Sequence, residues 1–327
     1  MIESRAAIIG SGIAGLACAE HLTKSGAHVT LFDKSRGPGG RVTTRRADVG
    51  RFDHGAQYFT ATHPDFLRQV EEWENQGWVQ QWLGRFGDWR DGQFHRENEA
   101  KKRWVGVPRM SAIGRMMAQN LDVRLQHKVV HLSRRHNQWF VTCDNDQIDG
   151  PFDWVVLTCP GPQAAALLPD TSSLHSSVQS LCYEPCWAVM MSFDHPLDLP
   201  LDGIRLDHPV LAWAARDNSK PNRAEGERWV LHAQAKWSEI HVDDPPDQVL
   251  NSMTSAFDAL LDKPARPTHK AIHRWLYARA STKQFNQPTI DPKNRLAICG
   301  DATQGSRLEN AWLSGDAMAS ALGEHLG

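Results

Sequence analysis

Long apolar runs are missing from this sequence. None approaches the roughly 20 residues that a helix needs to cross a bilayer, so no membrane span is expected. An excess of charge is missing as well. Lys and Arg number 36 against 38 Asp and Glu, a balance that draws the chain neither to nucleic acid nor to an anionic membrane. Cysteine is scarce, with six residues and no C-x-x-C pair. Cys182 and Cys186 lie nearest one another with no His-x-x-x-His set beside them, so reduced structural thiols are expected rather than a metal or dithiol centre. Tyrosine is scarcer still, at three residues against 13 Trp, which leaves little for a site framed by paired tyrosines. An apolar strand begins within a few residues of Met1, where a signal peptide would need a charged and then an apolar region, so a cytoplasmic protein is expected. No repeat or low-complexity tract interrupts the chain.

What is present starts at Ala6. The apolar run Ala6-Ala7-Ile8-Ile9 turns through Gly10-Ser11-Gly12-Ile13-Ala14-Gly15 into a stretch apolar at helical spacing, and a second strand, residues 28–32, ends on Asp33. Strand, Gly-rich turn, helix, strand and terminal acid come in the order that a dinucleotide-binding βαβ unit requires. Gly10 permits the tight turn, Gly12 lets the backbone approach a pyrophosphate, and Gly15 lets helix and strand pack closely. The phosphates would meet the unpaired N–H groups at Ile13 and Ala14, where the helix dipole favours negative charge. Asp33 is placed to accept from the adenosine ribose hydroxyls. A second Gly-rich turn, from Lys34 through Gly39 and Gly40 to Arg41, follows at once. A simple NAD dehydrogenase needs no such turn, whereas a flavin dinucleotide does, because its pyrophosphate and ribityl chain continue past it.

This pairing of G-x-G-x-x-G with a Gly-Gly-Arg turn resembles the FAD-binding signature of the glutathione-reductase-like flavoproteins, in their amine-oxidase and renalase branch. The likeness to the renalase family is sharpest over residues 33–46, 52–61 and 300–315 and covers most of the chain. It implies an α/β protein: a glutathione-reductase-like FAD-binding Rossmann domain with a second, α+β substrate domain that contains an antiparallel sheet. The expected FAD-binding domain takes residues 1–62, 105–168 and 268–327, and the substrate domain takes 63–104 and 169–267.

The rest of the chain divides by pattern. Residues 42–46 read as a strand, and residues 52–60 as a segment that follows the cofactor towards its ring, with small residues for close backbone approach. Residues 63–82, apolar at Phe66, Leu67, Val70 and Trp73, read as an amphipathic helix, residues 86–96 as a hairpin and residues 111–121 as a helix. Residues 123–149 alternate like short antiparallel strands. Residues 154–158 form a continuous apolar run that suits a parallel strand buried on both faces. Between 169 and 267 come alternating segments that carry Trp187, Trp213, Trp229 and Trp237, with one helix over 246–261. From 271 the chain returns to the first domain through a buried strand that ends on Gly300-Asp301, followed by an Ala-rich helix over 308–326.

The resemblance implies non-covalent FAD, contacted by Gly10, Gly12, Ile13, Ala14, Gly15, Asp33, Lys34, Gly40, Arg41, Ala56, Gln57, Val129, Gly300, Asp301 and Leu308. It implies substrate contacts at Gln57, Tyr58, Phe59, Thr60, Ala61, Arg96, Trp187 and Arg307, although Arg307 could instead pair with Glu309. The implied activity is an oxidase for off-pathway dihydronicotinamide isomers of NAD(P)H, whose partners are a small dinucleotide and dioxygen. Such chemistry needs two rings oriented and water excluded, and no metal, catalytic triad or paired carboxylate stands out in the sequence. An amine oxidase, a desaturase or protoporphyrinogen-type oxidase, and a non-catalytic dinucleotide sensor are the rival readings.

Overall fold

The computed structural model describes residues 4–98, 101–281 and 288–326. Strand β1 (Arg5–Ile9) lies inside a six-stranded sheet ordered Thr289–Asp291, Leu296–Ile298, Trp154–Leu157, β1, β2 (His28–Asp33), Asp122–Leu125. All neighbours run parallel except the antiparallel edge Thr289–Asp291. A parallel sheet must be covered on both faces, and alternate residues divide accordingly. Ala6 and Ile8 enter one core with α1 (Ile13–Lys24) and the helix Leu308–Leu326. Ala7 and Ile9 enter another, beneath the antiparallel meander Val129–Arg135, Gln138–Cys143 and Ile148–Phe152. Residues 122–125 depart from the expected meander. Val123 aligns with Leu31, so this stretch extends the parallel sheet.

The second sheet has seven strands, ordered His269–Ala280, Tyr183–Phe193, Glu227–Ala233, Leu211–Arg216, Gly203–Leu206, Phe86–Arg90 and Gln93–Arg96. Its neighbours are antiparallel apart from Gly203–Leu206 beside Phe86–Arg90. The fold class expected from sequence is therefore present: a Rossmann-like domain and a second domain built on a largely antiparallel sheet. On one face Trp187, Val189, Met191, Trp229 and Leu231 pack under the amphipathic helix Pro246–Asp258 through Val249, Met253 and Phe257. Burial of each aliphatic or Phe side chain here contributes about 1.5–3 kcal/mol, and Trp187, 3% exposed, belongs to this core. On the other face Met190 and Val230 pack on Phe52. The strand period of two puts His232, His273 and Trp275 on that face, towards residues 52–54.

Some boundaries differ from the sequence reading. Residues 269–280, grouped there with the first domain, form an edge of the second sheet because twelve alternating residues find a full-length partner in Tyr183–Phe193. The helix expected over 63–82 ends at Asn75, just before Gly77 at φ +74, and residues 79–81 instead pair as a strand with Trp104–Gly106. The apolar side of Pro64–Asn75 packs into the first domain's core, where Phe66 lies 5.7 Å from Trp312. Trp237 sits in a short helix, Ala235–Ile240, and not on a strand. The strand expected over 42–46 forms only at Arg45–Ala47, paired with Gly50–Phe52. Among the described residues no helix is long and apolar enough to cross a membrane.

Candidate functional site

The two Gly-rich turns are stitched together. Gly10, at φ +115, donates its N–H to Phe32 O, and Gly39 donates to Ser11 O, each at 2.8 Å, so the second turn lies along the first. A side chain at Gly15 would meet Gly10 O at 2.1 Å, the close helix–strand approach expected of that position. At Gly12 the situation is opposite: an added Cβ would meet nothing within 4 Å. Gly12 is also the N-cap of α1, with no side chain bonded to the helix N-terminus and no acidic residue in the first turn. A side chain at Gly12 would therefore clash with nothing in the protein itself, and no side chain caps the first N–H groups of α1. Gly300 has the same open surroundings. A cradle that only an external group would fill fits the pyrophosphate of a dinucleotide.

The chain's third segment closes on this cradle. Arg41 Nη2 lies 2.5 Å from Asp301 Oδ1, and Arg41 Nη1 donates to Ala278 O at 3.0 Å, which ties the Gly-Gly-Arg turn to Gly300-Asp301 and to the second sheet. Asp33 holds the first turn: its Oδ2 accepts from both the N–H and the hydroxyl of Ser11 at 2.7 Å, and its Oδ1 from Ser35 N. Free lone pairs remain on a carboxylate so bonded, so ribose contact is still open to it. Gly10, Gly12, Gly15, Asp33, Gly40, Arg41, Gly300 and Asp301 are thus brought to one place, with Ile13 and Ala14 at the helix start. Leu308 opens the helix Leu308–Leu326. Lys34 is exposed and donates to Gln163, and Val129 is half-buried against the core that holds Ile9 and Phe32.

Residues 53–57 follow the turn, with Ala56 N donating to Arg41 O at 3.0 Å. A buried charge network, invisible in the sequence, lies beneath them. Lys220 donates to Asp217 Oδ1 at 2.7 Å, to Gln57 Oε1 at 3.3 Å and to Asp53 Oδ2 at 3.4 Å. Arg223 also reaches Asp53, at 2.6 Å. Burial pushes the Asp53 carboxyl up, but Lys220 and Arg223 outweigh it and hold the group below its ordinary range. Asp217 stays raised, because burial dominates over its one close cation. The Gln57 side chain is spent in this network, since Nε2 also donates to Gly55 O and Asp53 O. It does not project towards a ligand as the sequence reading has it.

The same segment is held from the second sheet. His54 O accepts from His232 Nε2 and from Trp275 Nε1, both at 3.1 Å. His54 is itself buried, with Nδ1 unpartnered among the described residues and the His273 ring 4.9 Å away. Burial, followed by neighbouring His273 and Arg45, lowers its pKa to about 3, and burial lowers that of His232 to about 4. Both folded values lie below the ordinary 6.5, so the neutral rings stabilise the fold fully above that pH, and the contribution is lost as pH falls from 6.5 towards 4. The unfolding free energy from urea titrations should accordingly hold steady above neutrality and decline below it, by about 1.4 kcal/mol per pH unit from His54 alone, and the urea midpoint with it. A midpoint independent of pH throughout that window would refute the assignment.

Residues 58–61 carry the chain from this clamp to a cavity. Tyr58 sits among Trp82, Phe86 and Trp213, with the Arg103 guanidinium 5.3 Å from its ring, and Phe59 stacks on Trp104 in the core. Phe59 is therefore buried away from any ligand, while Tyr58 is half-buried. Thr60 and Ala61 are half-buried and lead into a cavity of about 900 Å³ walled by Thr62, His63, Glu184, Arg279, Ser281, Gln304, Arg307, Glu309 and Asn310. Of the substrate residues expected from sequence, only Arg307 lines this cavity. Trp187 is in the second core and bonds His241 O, and exposed Arg96 lies on the edge strand farthest in strand order from His269–Ala280. Glu309 does not pair with Arg307: it is buried and accepts from the N–H groups of Thr62 and His63 at 2.6 Å.

Residues 8–73 match the model of the NAD(P)-binding Rossmann-like domain, and residues 75–322 that of the flavin containing amine oxidoreductases. The chain is similar to a 1-hydroxycarotenoid 3,4-desaturase of Flavobacterium sp., 46% identical over 59 residues that make 18% of this chain and 12% of that protein. It is also similar to a 4-hydroxybenzoate brominase (decarboxylating) of Marinomonas mediterranea, 24% identical over 198 residues that make 59% and 33% of the two chains. The matched stretches thus span about a third or less of these relatives. Among solved structures, cyclohexylamine oxidase of Brevibacterium oxydans superposes with a TM-score of 0.77 at 12% identity, over 99% of each chain. At that identity the likeness is one of fold.

Proposed function

This chain belongs to the flavin containing amine oxidoreductase family, and on that premise we propose that it is a renalase-like oxidase. Its substrates would be the 2- or 6-dihydro isomers of NAD(P)H. Isomer, dioxygen and a proton would be converted to NAD(P)+ and hydrogen peroxide. A non-covalently bound FAD supplies the two-electron acceptor for this chemistry. The residues that would hold it are the Gly10–Gly15 turn, Asp33, Gly40, Arg41, Gly300 and Asp301.

The observation that carries the substrate reading is the charge state of the cavity. An amine substrate arrives as an ammonium ion, which an unpaired carboxylate would favour. Both carboxylates on the wall are committed: Glu184 accepts from Arg279 Nη2 at 2.6 Å and Nε at 2.8 Å, and Glu309 is bonded by two backbone N–H groups. Arg307 carries an exposed positive charge at the same cavity. Such a wall disfavours a cation and suits a phosphate-bearing nucleotide. Residues 53–57, fixed from both sides, would offer a bound flavin a rigid stretch of backbone, and the aromatic residues around Tyr58 would help to exclude water.

The test is anaerobic mixing of the flavin-loaded protein with a panel of the 2-, 4- and 6-dihydro forms of NAD and NADP beside putrescine and cyclohexylamine. Rapid bleaching by the 2- or 6-dihydro forms, with peroxide appearing when air is admitted, is the expected result. Bleaching by an amine alone would overturn the reading in favour of amine oxidation, and no bleaching by any member would favour a sensor.

A further inference from the structure

One wall of the cavity is chemically uncommitted. Among the described residues the Arg307 guanidinium and the side-chain amides of Gln304 and Asn310 make no hydrogen bond or ion pair, although all three line the same 900 Å³ space. The facing wall is neutralised, because Arg279 and Glu184 form a two-point pair. Ser306, beside Arg307, is anchored in both directions: its hydroxyl accepts from Ala280 N at 2.8 Å and donates to Asp301 at 3.3 Å. The turn that presents Arg307 is therefore tied to the cofactor segment, and Arg307 lines the cavity from it. A guanidinium with neighbouring amides and no internal carboxylate matches the geometry of a phosphate oxygen set.

We propose that Arg307, supported by Gln304 and Asn310, forms an anion subsite that binds a phosphate group of the nucleotide substrate. The inference rests on the dihydronicotinamide reading above and deepens it: the subsite recognises the part of the substrate that does not react. The group is either the pyrophosphate or the 2′-phosphate of an NADP form. A subsite of this kind lowers KM for the dinucleotide without touching the reacting ring. Its contribution falls with ionic strength, because Arg307 is exposed.

Flavin-loaded wild type and Arg307→Gln are compared in steady-state oxidation of the 6-dihydro isomers of nicotinamide riboside, NAD and NADP, and in titrations of ADP-ribose followed by flavin absorbance. The expected result is a KM for the NAD isomer raised about tenfold and a parallel loss of ADP-ribose affinity, while the riboside KM moves less than about twofold. A rise confined to the NADP isomer supports the subsite and identifies the 2′-phosphate as its ligand. Equal changes for riboside and dinucleotides, or none for any of them, would overturn the proposal. Should no dihydronicotinamide reduce the flavin, ADP-ribose still decides: tighter binding to wild type than to Arg307→Gln upholds the subsite while the catalytic reading fails. ADP-ribose binding that is equal or absent in both proteins refutes the subsite itself.

Discussion

Gly12→Val is expected to purify as a folded but colourless protein. The backbone at Gly12 has φ −68 and ψ 175, an extended conformation that valine adopts without strain, and a Cβ there would meet no protein atom within 4 Å. The substitution therefore has little to disturb in the protein alone. It does place a branched side chain over the uncapped N–H groups of α1, in the space that a pyrophosphate would need. Flavin content per chain should fall from near one to near zero, while the thermal midpoint stays within a few degrees of that of wild-type apoprotein. Gly10 offers a control of the opposite kind. With φ +115 and Thr158 Oγ1 only 2.7 Å from an added Cβ, Gly10→Val should lose stability as well as flavin. Stoichiometric FAD in purified Gly12→Val would show that the cradle is elsewhere.

Lys220→Met should be strongly destabilising although Lys220 lines neither the cofactor turns nor the cavity. The Lys220, Asp53 and Asp217 side chains are 0%, 0% and 2% exposed. Removing the lysine leaves two buried carboxylates to share Arg223, and an uncompensated buried charge of this kind costs about 3–5 kcal/mol. Asp217, already raised by burial, is the carboxylate that would take up a proton. Lys220→Met combined with Asp217→Asn should therefore recover about 1–3 kcal/mol of the loss, a coupling readable from urea midpoints of the four proteins in a double-mutant cycle. A loss below about 1 kcal/mol for the single variant would mean that the network is not charged as described. The holoenzyme should also bind flavin more weakly, because Gln57 loses its Lys220 donor and residues 53–57 lose a fixed point.

Much of the cofactor cradle is legible in local sequence because its physics is local. The tight turn at Gly10, the close approach at Gly15 and the acid at Asp33 all lie within one βαβ unit. The buried strands Trp154–Leu157 and Leu296–Ile298 announce themselves as short apolar runs. The substrate side is different. Gln57, Tyr58 and Phe59 sit in the segment that reaches the site, but residues 53–58 are irregular, so no period foretells their directions, and the three enter a charge network, an aromatic cluster and a core. Trp187 and Arg96 mark the limit of residue type as evidence: an aromatic or cationic side chain on a strand belongs to whichever face and edge the sheet gives it.

The sequence by itself determined that this chain carries a Gly-rich βαβ unit of the dinucleotide-binding kind, and that a second, alternating region forms a sheet. Those features depend on residues within a few turns of one another. Only the tertiary structure decided which charges are paired. Lys220 meets Asp53 across 167 positions, Glu309 meets Thr62 across 247, and Arg41 meets Asp301 across 260. Pairing over such separations depends on how the two sheets close on each other, and periodicity carries no information about that. It leaves Arg307 as the uncommitted cation at the cavity wall among the described residues.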